Sequence, residues 1–384
     1  MMPTNKFGLS YKTINKSTTM KLRLITNYET LEAHAAQWDA VAGDFPFFRF
    51  AWMGSWIKHL GKSCQLAVLV AVDDDGKWIG VVPLCVDHSH SMTKRLRYIS
   101  SGVACADYMR PISSPEHETG FLSVVADWLL NNVGPNGPFG KIESIELEGI
   151  TLSDPETSSF VDMLSFSDFS SHTMEIEGCW KAELPSDWAE FEAHCSKSMR
   201  RKTRKATQRL GSDQTEVLST KDTPFEELWP TFVQLHQLRR QMLGQAGCFA
   251  DPDFHSFLHD AVKDLVQSGH AEIVQILNEG MPLASMLLLN DGETVYMYQS
   301  GSCNQRAALE PGYQMVACAI MRSIDQGFKS FDFLRGDEPY KARWNTTRVP
   351  LSRVKFIPRT ISAQLKHSIW LTGRSLKEHV LTAG

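Results

Sequence analysis

The stretch Thr294–Gly336 holds residue types at spacings that can do chemistry. A strand ends at Gln299-Ser-Gly-Ser-Cys303, the chain passes through Asn304-Gln-Arg-Ala-Ala-Leu-Glu-Pro-Gly312, and a helix opens at Tyr313-Gln-Met-Val316. A strand, a turn with Pro311 and Gly312, and a helix N-terminus together make a phosphate site. Unpaired backbone N–H groups and the positive end of the helix dipole face the anion, and glycine lets it come close. An ordinary strand–helix connection uses the same residues, and for such a turn taken alone it is the commoner outcome. Downstream, Tyr340-Lys-Ala-Arg-Trp344 places Tyr340 and Trp344 on one helical face, which core packing explains by itself. Lys341 is turned elsewhere, toward a structural partner or toward a phosphate or acceptor carboxylate. Arg335 has Asp332 and Asp337 nearby as expected partners.

Two further features belong to helices. His236, in Leu235-His-Gln-Leu-Arg239, is a candidate acid–base group, although a lone histidine on an amphipathic helix is more often structural. The run from Lys197 to Arg209 carries seven basic residues and no acid. Alone, such a run points to a polyanion; a solvated helix face is the plainer reading.

The scaffold for these groups shows in a repeat. Leu66–Val72, the turn Asp73-Asp-Asp-Gly76 and Lys77–Leu84 form one strand–turn–strand unit; Ala271–Leu277, Asn278-Glu-Gly280 and Met281–Leu289 form another. Both place an acidic residue and glycine between apolar runs, the usual hairpin chemistry. In each half helices precede the hairpin, and a strand, a helix and a strand follow it. The spacing predicts first-half helices over Thr30–Val41, Phe50–Leu60 and His117–Asn131. In the second half it predicts helices over Asp187–Leu210, Phe225–Met242, Asp251–Gln267 and Gly312–Gln326. Two mixed α/β domains of the same element order follow, with a boundary near Thr173–Pro185.

Composition sets the bounds. A chain of 384 residues suits two domains, and 42% hydrophobic with 22% charged residues is the balance of a folded protein. A net charge of −5 gives no general reason to expect a nucleic-acid partner. No segment approaches the ~20 consecutive apolar residues of a membrane span. Residues 1–19 are polar, without a signal-peptide core, and are expected to be a disordered extension; residues 359–384 read as an amphipathic, basic tail. Eight cysteines stand singly, without a C-x-x-C pair, so reduced thiols in the cytoplasm are expected and a zinc site is not.

Sequence order narrows the reading. Hairpin, strand, turn, helix and strand is the order of the acetyl-CoA core of GNAT enzymes, whose turn reads loosely Arg/Gln-x-x-Gly-x-Gly/Ala. Here Gln305 and Arg306 are present, but only one glycine follows, with Pro311 before it. The ending Phe331-Asp-Phe-Leu-Arg-Gly-Asp-Glu-Pro-Tyr-Lys-Ala-Arg-Trp344 resembles the F-D-F-x-x-G-x-x-x-Y-K-x-x-W signature of the cellulose-biosynthesis CelD/BcsL-type acetyltransferases. Those are similar in turn to the FemABX peptidyltransferases. The resemblance runs from about Lys21 to Pro358 and takes in Phe47-Phe-Arg-Phe-Ala-Trp52 and the basic helix.

The resemblance implies an α/β fold of two tandem GNAT-like acyl-CoA N-acyltransferase domains with mixed sheets, at residues 20–178 and 179–358. It places an acceptor cleft between them and an acyl-CoA on the second. Gln305, Arg306, Gly312 and Tyr313 would then meet the pyrophosphate and pantetheine, and Gln299 and Ser300 would flank the thioester. Asp107, in Ala104-Cys-Ala-Asp-Tyr-Met-Arg-Pro111, would face the cleft and orient the acceptor, although Asp also suits a turn or cap. With Tyr340, Lys341 and His236 it completes the catalytic candidates. The implied reaction is direct attack of an amine or hydroxyl on the thioester, without a metal. The implied acceptor is a polysaccharide, a nucleotide sugar or a cell-envelope precursor, with an association with envelope-polysaccharide machinery. Two alternatives stand beside it: an aminoacyl-tRNA-dependent FemABX-like peptidyltransferase, with tRNA as partner, and a non-catalytic tandem scaffold.

Overall fold

The structure, a computed structural model, describes residues 20–88, 94–133, 137–165 and 169–358. The expected N-terminal extension and the basic tail lie outside these residues.

The first half opens with β1 (Lys21–Ile25), α1 (Tyr28–Ala33), α2 (Ala35–Ala42) and α3 (Phe50–His59). Next come β2 (Cys64–Leu66), β3 (Val68–Val72), β4 (Trp78–Val82), β5 (Leu84–Asp87), β6 (Lys94–Tyr98) and β7 (Ile112–Ser113). It ends with α4 (Glu118–Asn132), β8 (Ile142–Ile150), α5 (Pro155–Ser165) and the long β9 (Phe169–Glu183). In the second half α6 (Trp188–His194), α7 (Lys197–Leu210), β10 (Thr215–Ser219), α8 (Phe225–Met242) and α9 (Pro252–Gln267) precede the hairpin of β11 (Ala271–Asn278) and β12 (Met281–Asn290). Then follow β13 (Thr294–Ser302), α10 (Pro311–Asp325), β14 (Ser330–Arg335) and β15 (Thr347–Pro358).

Both predicted hairpins form, each for a local reason. Asp73 accepts from the backbone N–H groups of Asp75 and Lys77 at 3.0 and 2.9 Å, closing the first turn. Glu279 and Gly280 both have positive φ, 54° and 73°, the backbone that a two-residue hairpin turn requires. Two expected helices are each split. The chain leaves the helical region at His34, between α1 and α2. At Ser196 it is extended, and the Ser196 hydroxyl caps α7 by accepting from Met199 N at 3.3 Å.

The two halves build the same ladder. In the second, β10 to β13 pair antiparallel in sequence order, and β13 then runs parallel to β14. In the first, β1 pairs with β3, β3 with β4, β2 with β5 and β5 with β6, all antiparallel, and β6 runs parallel to β8. There the second and third strands are each broken in two, the third at Pro83. The final strands are exchanged: β9, from the first half, pairs with β14, and β15, from the second, pairs with β8. Because β9 and β15 also pair with each other, one 11-stranded sheet crosses both halves, beside a 4-stranded sheet of the first. The expected junction between residues 178 and 179 falls inside β9.

Helix α3 of the first half packs on α9 of the second. The Ser55 hydroxyl donates to Phe257 O at 2.8 Å, and the Trp52 ring meets Phe257 and Tyr298 edge-on at 5.0 and 5.1 Å. The aromatic segment Phe47–Trp52 is thus the seam between the halves, and residues of both can share one site.

Candidate functional site

Strands β13 and β14 pair only over Thr294–Tyr296 and Ser330–Asp332 and then part. Tyr298 is an extra residue opposite β12, where the register shifts between Leu287 and Leu288; such a bulge bends its strand and re-aims side chains. Past the split, β13 runs under α8. A Cβ on Gly301 would lie 2.2 Å from His236 N, so glycine is what permits this close approach. The approach brings Arg239 of α8 to Ser300, whose hydroxyl accepts from the guanidinium at 3.3 Å.

Two cavities open along this split. The first, about 370 Å³, lies below the start of α10 and is lined by Ser300, Gly312, Tyr313, Tyr340 and Trp344 among others. The second, about 460 Å³, lies between the halves and is lined by Asp107, His236, Gln299, Ser300, Tyr340 and Lys341 among others. Arg239, Met297, Ser300 and Tyr340 line both. Eight of the ten site residues expected from sequence therefore line one cavity or the other. Gln305 and Arg306 line neither. Arg306 is held by the β11–β12 turn, donating to Asn278 O at 2.9 Å and pairing with Glu279 at 3.1 Å.

The first cavity has the character of an anion site at its mouth. Open space surrounds the position of a Gly312 Cβ. Lys202 of α7 donates to the Tyr313 hydroxyl at 2.9 Å and lies 4.2 Å from its ring centroid; Arg343 reaches the same hydroxyl at 3.3 Å. Burial raises the Tyr313 phenol, but these two cations outweigh it and bring the pKa below its ordinary value. Glu310, at the N-cap of α10 with φ 54°, pairs with Lys205 at 3.0 Å and Arg209 at 3.3 Å. The basic run is therefore not merely a solvated face: Lys202, Lys205 and Arg209, at helical spacing, turn toward α10. That spacing was visible in sequence, but nothing local shows what the stripe faces.

The second cavity depends on the first half. The loop through Asp107 lies against the end of β14: Asp107 is buried and accepts from Arg335 Nε at 2.7 Å, from Arg335 N at 3.1 Å and from Cys179 Sγ at 3.4 Å. Arg335 also reaches Glu148 at 2.9 Å, so its partners are Asp107 and Glu148 and not the expected Asp332 or Asp337. Lys341 is buried too, and donates to Leu334 O and Arg335 O at 3.1 and 2.8 Å while pairing with Glu338 at 3.0 Å. Both side chains hold the end of β14 in place. Burial lowers the His236 imidazole to about 4, with Arg240 adding to the effect, and its Nδ1, itself buried, has no hydrogen-bond partner among the described residues. It is neutral near pH 7. Burial also pushes the Tyr340 phenol up to about 12, with Glu338 adding to it, so its proton stays on at neutral pH.

A buried acid beside the site links stability to pH. Asp332 accepts from the Tyr108 hydroxyl at 2.5 Å and from Leu334 N at 2.7 Å; burial raises it from 3.8 to about 6 despite those bonds. The fold thus favours the protonated acid. Its contribution is full below pH 3.8 and is lost as pH rises through about 6, a change of about 3 kcal/mol. Urea midpoints measured from pH 4 to 7 are expected to carry this slope in the native protein and to lose it in Asp332→Asn. An equal slope in both proteins rejects the assignment.

Strand order, the split between β13 and β14, and paired cavities at that split define a mixed α/β fold of two GNAT-like halves. Residues 193–342 match the family model described as an acetyltransferase (GNAT) domain. No curated protein matches the chain by sequence. Among solved structures, FemX is similar at 16% identity, with 90% of this chain and 99% of that one covered and a TM-score of 0.60. The C-terminal domain (DUF2156) of a putative lysylphosphatidylglycerol synthetase from Agrobacterium fabrum is similar at 10% identity, covering 87% and 94% of the chains, with a TM-score of 0.52. L-PGS from Bacillus licheniformis is similar at 10% identity, covering 88% and 95%, with a TM-score of 0.50. At these identities the likeness is one of fold. No helix among the described residues is long and apolar enough to cross a membrane.

Proposed function

We propose that the protein is an acyl-CoA-dependent N- or O-acyltransferase, with the donor in the cavity below α10 and the acceptor in the cavity between the halves. One observation carries this reading: the two cavities meet at Ser300, Arg239 and Tyr340, where a thioester entering from one side meets a nucleophile entering from the other. The donor phosphates would lie at Gly312 and the α10 N-terminus, with Lys202 and Arg343 beside them. They would take over Lys205 and Arg209, which Glu310 now holds. Backbone N–H groups along the split are the candidate donors to the tetrahedral oxyanion. His236, neutral, would border the acceptor's amine or hydroxyl, and the proton lost by the acceptor would end on the departing sulfur, to which the Tyr340 hydroxyl would donate a hydrogen bond. Asp107 and Lys341 would act through the strand they hold, and Gln299 would border the acceptor. The acceptor proposed from the Phe331–Trp344 signature is a polysaccharide, a nucleotide sugar or a cell-envelope precursor.

Calorimetry with acetyl-CoA tests the donor side. Gly312→Trp fills the open space at the α10 start and is expected to abolish acetyl-CoA binding while the melting temperature stays near that of the native protein. Unchanged affinity in the folded variant moves the phosphate site elsewhere. Lys197, Arg200 and Arg201 of α7 have no carboxylate within ion-pair distance among the described residues, which favours an aminoacyl-tRNA donor as a second reading. The same titration with charged tRNA decides between the two.

A further inference from the structure

One cation in the donor cavity is left without an anion. Of the side chains that line this cavity, only Arg239 and Glu310 carry a charge. Glu310 stands at the mouth, at the N-cap of α10, where Lys205 and Arg209 pair with it. Arg239 stands where the donor cavity joins the acceptor cavity, beside Ser300 and Tyr340. It is half-buried, and its hydrogen bond, at 3.3 Å, goes to the neutral Ser300 hydroxyl. No carboxylate lies within ion-pair distance of it among the described residues. The neighbouring cations differ. Arg335 is matched by Asp107 and Glu148, Lys341 by Glu338, and Arg240 is exposed to water. A guanidinium drawn partly out of water without an anion is costly, and its planar fork fits a carboxylate.

Which part of a ligand reaches Arg239 follows from where the other charges go. In an acyl-CoA held as proposed above, the phosphates lie at the α10 start beside Lys202 and Arg343, and the oxyanion faces backbone N–H groups along the split. Neither charge needs Arg239. On the acceptor side Glu177 lines the cavity without an ion-pair partner among the described residues, and its carboxylate would repel an anionic acceptor that Arg239 drew in. The donor side has no such acid beside Arg239. The part of the donor that lies at this junction is the acyl group.

We infer that the transferred acyl group carries a carboxylate of its own, which Arg239 holds while the thioester lies at Ser300. The donor is then the CoA thioester of a short dicarboxylic acid, of the succinyl or malonyl kind. This rests on the acyltransferase reading and names its donor class. In the transfer the acceptor nitrogen or oxygen bonds to the thioester carbon, the C–S bond breaks, and the acceptor's proton ends on the sulfur. The distal carboxylate takes no part in bond making. It leaves on the product, an amide or ester with one more negative charge than acetyl transfer would give.

Calorimetry on the full chain compares donors of equal acyl length: succinyl-CoA with butyryl-CoA, and malonyl-CoA with propionyl-CoA. The native protein is expected to bind at least one charged donor about tenfold or more tightly than its uncharged counterpart, the least that one charge-assisted hydrogen bond supplies. Arg239→Gln should remove that preference. Arg239→Lys, which keeps a charge but loses the fork, should keep part of it. Arg240→Gln should leave it intact. Equal affinity for charged and uncharged donors in the native protein overturns the inference and leaves the acyltransferase standing. A preference that survives in Arg239→Gln also overturns it, because the carboxylate is then held elsewhere. Failure of every acyl-CoA to bind sinks the acyltransferase reading and this inference with it.

Discussion

Asp107→Ala is expected to destabilise the protein by about 3 kcal/mol, the lower end of the cost of breaking a buried ion pair by removing one partner. Asp107 is 1% exposed, and its carboxylate takes two bonds from Arg335, one from the side chain and one from the backbone. Without it the guanidinium keeps Glu148 among the described carboxylates, and the loop is left with the Tyr108–Asp332 hydrogen bond as its tie to β14. The readout is the urea midpoint, with the slope of the transition checked for two-state behaviour. Acetyl-CoA affinity measured on the folded protein should stay close to native, since Asp107 does not line the donor cavity. An unchanged midpoint with a large loss of turnover would restore the direct acceptor role that its position in the sequence first implied.

Tyr340→Phe is expected to lower turnover by about two to three powers of ten, the range lost with one hydrogen-bond donor aimed at developing charge. Attack on the thioester carbonyl gives a tetrahedral intermediate, and as its collapse breaks the C–S bond negative charge develops on the departing sulfur, where a hydrogen-bond donor stabilises it. Tyr340 lines both cavities, and its phenol, raised to about 12, still holds its proton at neutral pH. Phenylalanine keeps the ring that packs 6.2 Å from Phe333 and removes only the hydroxyl. Acetyl-CoA affinity and melting temperature should therefore change little while turnover falls. Turnover within threefold of native, measured once the acceptor is in hand, would remove Tyr340 from the chemistry.

Local order was legible in the sequence wherever one short-range force dominates. The Asp73–Gly76 and Asn278–Gly280 turns declared themselves because the hairpin backbone tolerates few residues, and α8 ran from Phe225 to Met242 as its spacing predicts. Helices split where a single residue left the pattern, as at Ser196, because a serine that can cap a helix can also sit inside one. The exchanged strands were hidden for a related reason. Strand β9 alternates exposed and half-buried residues over most of its length, so it has no apolar run to announce it. Its pairing with β14 and β15 rests on partners far along the chain.

The sequence by itself determined the repeated hairpins, the strand–turn–helix at Gly312 and the set of residues able to do chemistry. The tertiary structure alone decided which partners each of them meets. Arg335 had acids at 332 and 337 beside it and chose Asp107, 228 residues away, because burial penalises an unpaired charge more than chain distance does. Lys341 became a clasp on β14 because two carbonyls and Glu338 surround it. Arg239, which no motif marked, reached the junction of the cavities because Gly301 lets α8 settle onto β13. Spacing along a chain fixes which side chains share a face, but only packing between faces sets which charges are cancelled and which are left for a ligand.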